Sequence, residues 1–119
     1  MRKETKQNRP KLEAIIKHDG DEKYIVAKVG DNGSSRLMLV SLALEYHSNI
    51  ANVLRKWVNG NVEVRGGGIL EIDREAKRIR TYGMSGGFGK PNVKEVERIL
   101  KKNFPNYTID AKVDDYVRG

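Results

Sequence analysis

The stretch of the chain best suited to chemistry is residues 83–89, which hold four glycines, with Ser85 inside the stretch and Lys90 after it. Glycine has no Cβ atom to stop neighbouring backbone N–H groups from turning toward one point, and such groups bind anions. A helix expected to begin near Asn92 would add unpaired N–H groups and the positive end of its dipole. The stretch lacks the Gly-Lys-Ser/Thr ending of a P-loop, which disfavours nucleotide triphosphate hydrolysis. It predicts a phosphate-binding loop, and a hairpin connection without a ligand is the alternative.

Two side chains elsewhere in the chain could act on the same anion. His47 lies between an apolar run and an expected helix, where its imidazole could take a proton from water or accept a phosphoryl group. Lys23 precedes an expected strand and could place an ammonium charge at that strand's end. A structural role is the alternative for each. His18, in a polar turn, is expected at the surface.

The cysteine and histidine counts limit the other kinds of chemistry. The chain has no cysteine, which excludes disulfides, thiolate metal sites and a cysteine nucleophile. It has two histidines, too few for a histidine-built zinc site. We therefore expect neither a metal nor a cofactor.

Basic residues are concentrated at the N-terminus. Of the net charge of +7, +4 comes from residues 1–11, which hold five basic residues and one acid. This segment predicts a flexible basic arm ahead of a domain spanning residues 12–119. Such an arm suits loose attraction to RNA or another polyanion, and a solvated tail without a partner is the alternative.

The apolar residues form no long continuous run. They make up 38% of it, and no run approaches the about 20 apolar residues that a membrane span needs. Residues 1–11 are too polar for a signal peptide. We therefore expect a cytoplasmic protein with no membrane partner.

The pattern of apolar residues predicts an α/β fold, a single domain in which a mixed β-sheet is flanked by two helices. Strands are expected over residues 12–17, 24–29, 36–43, 62–65 and 107–113, and a helix is the alternative for residues 36–43. Residues 69–73 and 77–82 are expected to form a hairpin. Symmetric pairing about its turn would join Ile72 to Ile79, Leu70 to Thr81, Asp73 to Arg78 and Glu71 to Arg80.

The two helices follow from caps and buried stripes. Ser48 is expected to cap the first helix and Asn92 the second. The residues expected on the buried stripes are Ile50, Val53, Leu54 and Trp57 in the first helix, and Val93, Val96, Ile99 and Leu100 in the second. The run Gly66-Gly67-Gly68 is expected to let a strand bend or another backbone come close.

Several short motifs occur together and in order. They are Lys23-Tyr24, Glu45-Tyr46-His47, the run Gly66-Gly67-Gly68, Tyr82-Gly83-Met84-Ser85-Gly86-Gly87-Phe88-Gly89 and Phe104-Pro105-Asn106-Tyr107. In this combination the chain resembles the small phosphohistidine phosphatase (Janus/Ocnus) family, over about residues 19–116.

The resemblance implies a metal-independent phosphatase that acts on phosphohistidine in proteins. It implies His47 as the catalytic histidine and Lys23 as the phosphate-binding lysine. Ser85, Gly86 and Gly87 match the loop that holds the phosphate. The chain departs from the family pattern at Leu39 and Ile69, where arginines are expected.

Three functions remain open at this point. Phosphohistidine phosphatase activity rests on the coexistence of His47, Lys23 and the loop of Ser85. The missing arginines and the basic arm favour instead an RNA- or ribosome-associated protein that keeps the fold without the reaction. Binding of a phosphoprotein without turnover is the third. Arg36, Arg65 or Lys90 could replace the missing cations.

Overall fold

Six strands and two helices form one domain in the computed structural model, which describes residues 10–31 and 34–118. The strands are β1 (Lys11–Lys17), β2 (Gly20–Asp31), β3 (Ser34–Leu42), β4 (Asn61–Asp73), β5 (Arg78–Tyr82) and β6 (Thr108–Asp110). The helices are α1 (His47–Trp57) and α2 (Val93–Asn103). The predicted fold class is confirmed. Residues 1–9 of the predicted basic arm lie outside the described residues.

All six strands belong to one curled mixed sheet, in the order β1-β3-β2-β4-β5-β6. The central pairs β3–β2, β2–β4 and β4–β5 are antiparallel. The outer strands β1 and β6 join parallel to their neighbours. Among the described residues, no helix is long and apolar enough to cross a membrane.

Each helix covers one face of the sheet. Alternate residues of β2 point to opposite faces, so Tyr24 and Val26 pack with α2 while Ile25 and Ala27 pack with α1. On the α2 face, the buried apolar cluster consists of Tyr24, Val26, Leu37, Leu39, Leu70, Ile72, Ile79, Val96, Ile99 and Leu100. The core is thus divided into two layers by the sheet.

β4 is one long strand, not the two segments expected over residues 62–65 and 69–73. Val26 of β2 pairs with Gly66 and Ala27 pairs with Val64, so Arg65 is an extra residue in a β-bulge. Gly66 has a φ of 146°, a conformation that favours glycine. The extra residue reverses which face the following side chains point to, which hid the continuity of the strand from a period-two pattern.

The hairpin of β4 and β5 has the predicted register, including the pairs Glu71–Arg80 and Asp73–Arg78. Both charged pairs are salt bridges, and that between Arg78 and Asp73 spans 3.9 Å. The two arginines therefore face carboxylates across the hairpin, as predicted.

The helix ends differ in part from expectation. The Asn92 side chain caps α2 by accepting from the amides of Lys94 and Glu95. The cap of α1 is Tyr46, not Ser48. Trp57 is 49% exposed and Val93 is also exposed, so both lie off the buried stripes predicted for them. Each lies at a terminal position of its helix.

Candidate anion-binding site

The five predicted site residues line one pocket of about 500 Å³ at the N-terminus of α1, where His47 is the first helical residue. Its lining residues are Lys23, Tyr46, His47, Ser48, Ser85, Gly86, Gly87, Phe88 and Arg118. A larger groove of about 680 Å³ lies between β1 and α2, and it contains none of the five. The smaller pocket is therefore the one that brings the predicted chemistry together.

His47 is the first residue of α1 and is only 7% exposed, whereas the sequence indicated a loop residue pointing outward. Its Nε2 lies 3.0 Å from the carbonyl oxygen of Gly68. A carbonyl oxygen can only accept a hydrogen bond, so Nε2 carries the proton and donates it. In the neutral ring the free lone pair is then on Nδ1, which has no hydrogen-bond partner among the described residues.

The surroundings of His47 also favour its neutral form. Burial, as the main cause, holds the pKa of His47 below its usual value of 6.5. The positive charge of Lys23 lowers the pKa further, and the hydrogen bond to Gly68 opposes both effects. The imidazole is therefore neutral at pH 7, with a lone pair that can accept a proton.

Lys23 lies inside β2 and is only 8% exposed. Its backbone carbonyl accepts a hydrogen bond from the Ser41 hydroxyl at 2.9 Å, which fixes the strand at this residue. Within residues 10–31 and 34–118, no carboxylate forms an ion pair with its ammonium group. A buried cation without a partner is costly, and an anion in the pocket would remove that cost.

The triple glycine makes room for the histidine. A Cβ atom on Gly67 would overlap the Tyr24 carbonyl oxygen and lie 2.9 Å from His47 Cδ2. A Cβ atom on Gly68 would lie 2.9 Å from the Tyr82 carbonyl oxygen. The expected close approach of another backbone segment is thus confirmed. The run also supplies the carbonyl oxygen that accepts from His47, and because every residue type has this oxygen, the sequence could not reveal the role.

The glycine-rich loop is fastened to the sheet at both ends. The amide of Ser85 donates to the Gly67 carbonyl at 2.9 Å, and the amide of Gly67 donates to the Gly89 carbonyl at 3.1 Å. Ser85 is fully buried, and its hydroxyl oxygen accepts from the Phe88 amide at 3.0 Å. Its hydroxyl hydrogen remains for a second partner.

The turn of this loop carries the amides that could bind an anion. The Gly89 amide donates to the Ser85 carbonyl at 2.8 Å and closes the turn. Between them, the amides of Gly86 and Gly87 have no acceptor among the described residues, and both residues line the pocket. Two unsatisfied amides, a hydroxyl, an ammonium group and an imidazole therefore border one space.

The cations expected to replace the missing arginines are engaged elsewhere. Arg36 pairs with Glu13, Arg65 pairs with Glu95, and Lys90 pairs with Asp115. Leu39 and Ile69 are both fully buried. Besides Lys23, the pocket lining includes a second cation, Arg118, which sequence reasoning missed because no local motif surrounds it.

Other predicted features have structural explanations. His18 is half-buried, and its Nε2 lies 2.7 Å from the Ser41 hydroxyl, so it links two parts of the sheet and is not simply a surface residue. Among the described residues, no three His, Asp or Glu side chains are grouped so that they could hold a metal ion.

Known proteins resemble this chain over most of its length. The model of the Janus/Ocnus family (Ocnus) matches residues 10–108. The sex-regulated protein janus-A of Drosophila melanogaster is 33% identical over 107 residues, which cover 85% of this chain and 78% of that protein. The protein of the same name from Drosophila pseudoobscura pseudoobscura is 30% identical over 111 residues, with 85% and 74% covered.

Proposed function

The chain belongs to the Janus/Ocnus family, and from the groups in its pocket we propose that it is a metal-independent phosphatase that removes phosphate from phosphohistidine in proteins. The observation that carries the proposal is the pairing of two buried groups. Lys23 is a buried cation with no carboxylate partner in the part of the chain that the structure describes, and it borders the same pocket as the neutral imidazole of His47. A bound phosphoryl group would neutralise the charge of Lys23, and the imidazole of His47 would transfer protons during its hydrolysis.

The pocket supplies donors for each part of a phosphoryl group. The amides of Gly86 and Gly87 and the hydroxyl of Ser85 are neutral donors, and Lys23 is a charged one. Because the loop is tied to Gly67 at both ends, these donors need little rearrangement when the ligand binds. Donors fixed in advance stabilise the negative charge that builds up in the transition state.

His47 would provide the proton transfers. In the proposed step a water oxygen attacks phosphorus while the bond between phosphorus and the substrate's imidazole nitrogen breaks. The Nδ1 atom of His47 takes the proton from the water and passes it to the leaving nitrogen, so that inorganic phosphate and histidine are released. The hydrogen bond from Nε2 to Gly68 stabilises the ring while it is charged.

A test compares His47→Ala with the wild-type chain on a peptide that carries phosphohistidine. We expect the variant to lose turnover by about 100-fold or more, because general base catalysis typically contributes that much. His18→Gln is the matched control, since it removes the other imidazole and keeps a polar group near Ser41. Turnover in His47→Ala equal to that of the control would refute the proposal. A phosphorylated His47 trapped by rapid quenching would replace the base mechanism with a nucleophilic one.

The RNA- or ribosome-associated function stays a prediction about residues 1–11. Arg78 and Arg80 are paired with acids, and no feature of the described residues favours RNA. Removal of residues 1–9 tests it, because RNA affinity carried by the arm should fall with this deletion and fall steeply with salt. Salt-insensitive or absent RNA binding by the full chain would discard it.

A further inference from the structure

The last described residues of the chain lie against the phosphate-binding loop, and one of them, Arg118, lines the pocket. We call residues 114–118 the C-terminal segment. Asp114 Oδ1 accepts from the Gly83 amide at 3.0 Å, and the Tyr116 carbonyl accepts from the Met84 amide at 2.7 Å. Lys90 forms a salt bridge of 2.7 Å with Asp115. The segment is therefore bound to both sides of the phosphate-binding loop.

Arg118 is held at the edge of the pocket by two acceptors. Its Nη2 donates to Asp21 Oδ2 at 2.9 Å and to the Tyr82 hydroxyl at 3.0 Å. The Tyr82 hydroxyl in turn donates to the same carboxylate oxygen at 2.9 Å. A guanidinium group has five N–H donors, so the donors on Nη1 and Nε remain outside these two bonds. These two bonds anchor the group through Nη2, and the Tyr116 side chain is a further hydrogen-bond partner of the guanidinium.

We propose that Arg118 is a substrate-binding residue that donates to the phosphoryl oxygens of the ligand held by Lys23 and the loop. This inference rests on the proposed function for the identity of the ligand. Among the described residues, the lining of the pocket of about 500 Å³ contains no acidic side chain and one arginine, Arg118. Arg36 and Arg65 are paired with acids away from it.

The position of Arg118 also bears on the arginine that is missing at Ile69. Ile69 pairs with both Lys23 and Tyr82 in the sheet, so all three residues point to the same face. Arg118 is bound to Tyr82 above that face. A cation supplied by the C-terminal segment therefore stands next to the place where Ile69 provides none, and a planar fork of donors suits phosphoryl oxygens.

The test measures inorganic phosphate binding by calorimetry and KM and kcat for a phosphohistidine peptide. Arg118→Met should weaken phosphate binding about 10-fold and raise KM by a similar factor, with kcat changed less, since a charge-assisted hydrogen bond is lost. Arg118→Lys should restore part of the binding. The matched control is Arg98→Met, which removes an exposed arginine of α2 on the opposite face of the sheet.

A second variant separates binding from mere anchoring of the segment. Asp21→Asn removes the carboxylate that competes for the guanidinium and keeps Arg118 itself. It should bind phosphate as well as the wild type or more tightly, whereas an anchoring role predicts weaker binding in both variants. Weaker phosphate binding in both variants would overturn the inference. So would phosphate binding in Arg118→Met within twofold of the wild type.

The remaining outcomes are also decisive. An effect of Arg118→Met on the peptide alone, with phosphate binding unchanged, would assign the arginine to another part of the substrate and refute phosphoryl contact. Absence of saturable phosphate binding in the wild type would refute it too. Persistent turnover in His47→Ala would overturn the proposed function, while the phosphate measurements would still decide the role of Arg118.

Discussion

The two faces of the sheet are built from the same strands and differ in what they bury. On the α2 face, the central cluster is apolar, with Leu70, Ile79 and Leu100 fully buried. On the α1 face, the apolar layer gives way beyond the start of the helix to Lys23 and His47, which are buried but polar. An ammonium group and an imidazole buried in this way stabilise a fold poorly, and in the proposed function they bind and process an anion. The polar groups buried on the α2 face include the uncharged Thr81 side chain and the Tyr24 hydroxyl.

The largest expected effects separate the two faces. Leu100→Ala should lower the free energy of unfolding by about 2–5 kcal/mol, because it leaves a cavity in the α2 layer. Turnover per folded molecule should stay close to the wild-type value. His47→Ala should abolish most of the turnover and lower the free energy of unfolding by less than about 1 kcal/mol. The loss of stability is small because the contacts of the ring are partly offset by the cost of its burial. Urea unfolding measures the stability of each variant, and phosphate release measures its turnover. Equal effects of the two variants on turnover would erase the distinction between the faces.

Gly67→Ala should damage fold and site together, because the added Cβ atom meets β2 backbone on one side and the His47 ring on the other. Overpacking of this kind costs about 1–3 kcal/mol, and displacement of the ring should reduce turnover beyond the loss of folded protein. Gly30→Ala is the control, since a Cβ atom there meets nothing within 4 Å. Full turnover with normal stability in Gly67→Ala would show that the ring does not need this space.

Lys23→Met should weaken phosphate binding about 10-fold or more while leaving stability unchanged or raising it by about 1 kcal/mol. The reason is that the buried ammonium group, which has no partner within residues 10–31 and 34–118, opposes folding, and an unbranched apolar side chain can take the same path. Thermal unfolding measures the change in stability, and calorimetry with phosphate measures the change in binding. A clear loss of stability would mean that Lys23 has a structural partner and is not held ready for an anion.

The smallest effect concerns pH. Since burial lowers the pKa of His47, turnover should fall only as the pH drops below 6.5, through the lowered pKa. The unfolded ring binds a proton more readily than the folded one. The stability that this ring contributes is therefore fully present above pH 6.5 and is lost as the pH falls through the lowered pKa of His47 in the folded state. A titration of the His47 ring by NMR measures the pKa directly, and a value above 6.5 would contradict the burial argument.

The sequence predicted those parts of the molecule whose signals are local. The register of the β4–β5 hairpin follows from symmetric apolar and charged pairs about one turn, and the cap of α2 follows from Asn92. Strand β4 was predicted as two pieces because the bulge at Gly66 changes the side-chain period within one strand. A break in period looks the same in a sequence as a break in the strand.

The site could be predicted only as a set of residue types. His47 and the loop of Ser85 were indicated by motif and composition. The acceptor of His47 is a backbone carbonyl, which leaves no trace in residue identity. Arg118 reaches the pocket because residues 114–118 bind the loop, a contact between segments that only the folded chain reveals. The partners of Arg36, Arg65 and Lys90 were likewise set by tertiary contacts.

An NMR titration of the wild-type chain with inorganic phosphate tests the central claim most directly. We expect the amides of Gly86 and Gly87 and the ring of His47 to shift together, with one dissociation constant, and Lys23→Met to raise that constant about 10-fold or more. Shifts confined to the groove of Lys11, Arg98 and Lys102, with the loop and the histidine unchanged, would contradict it.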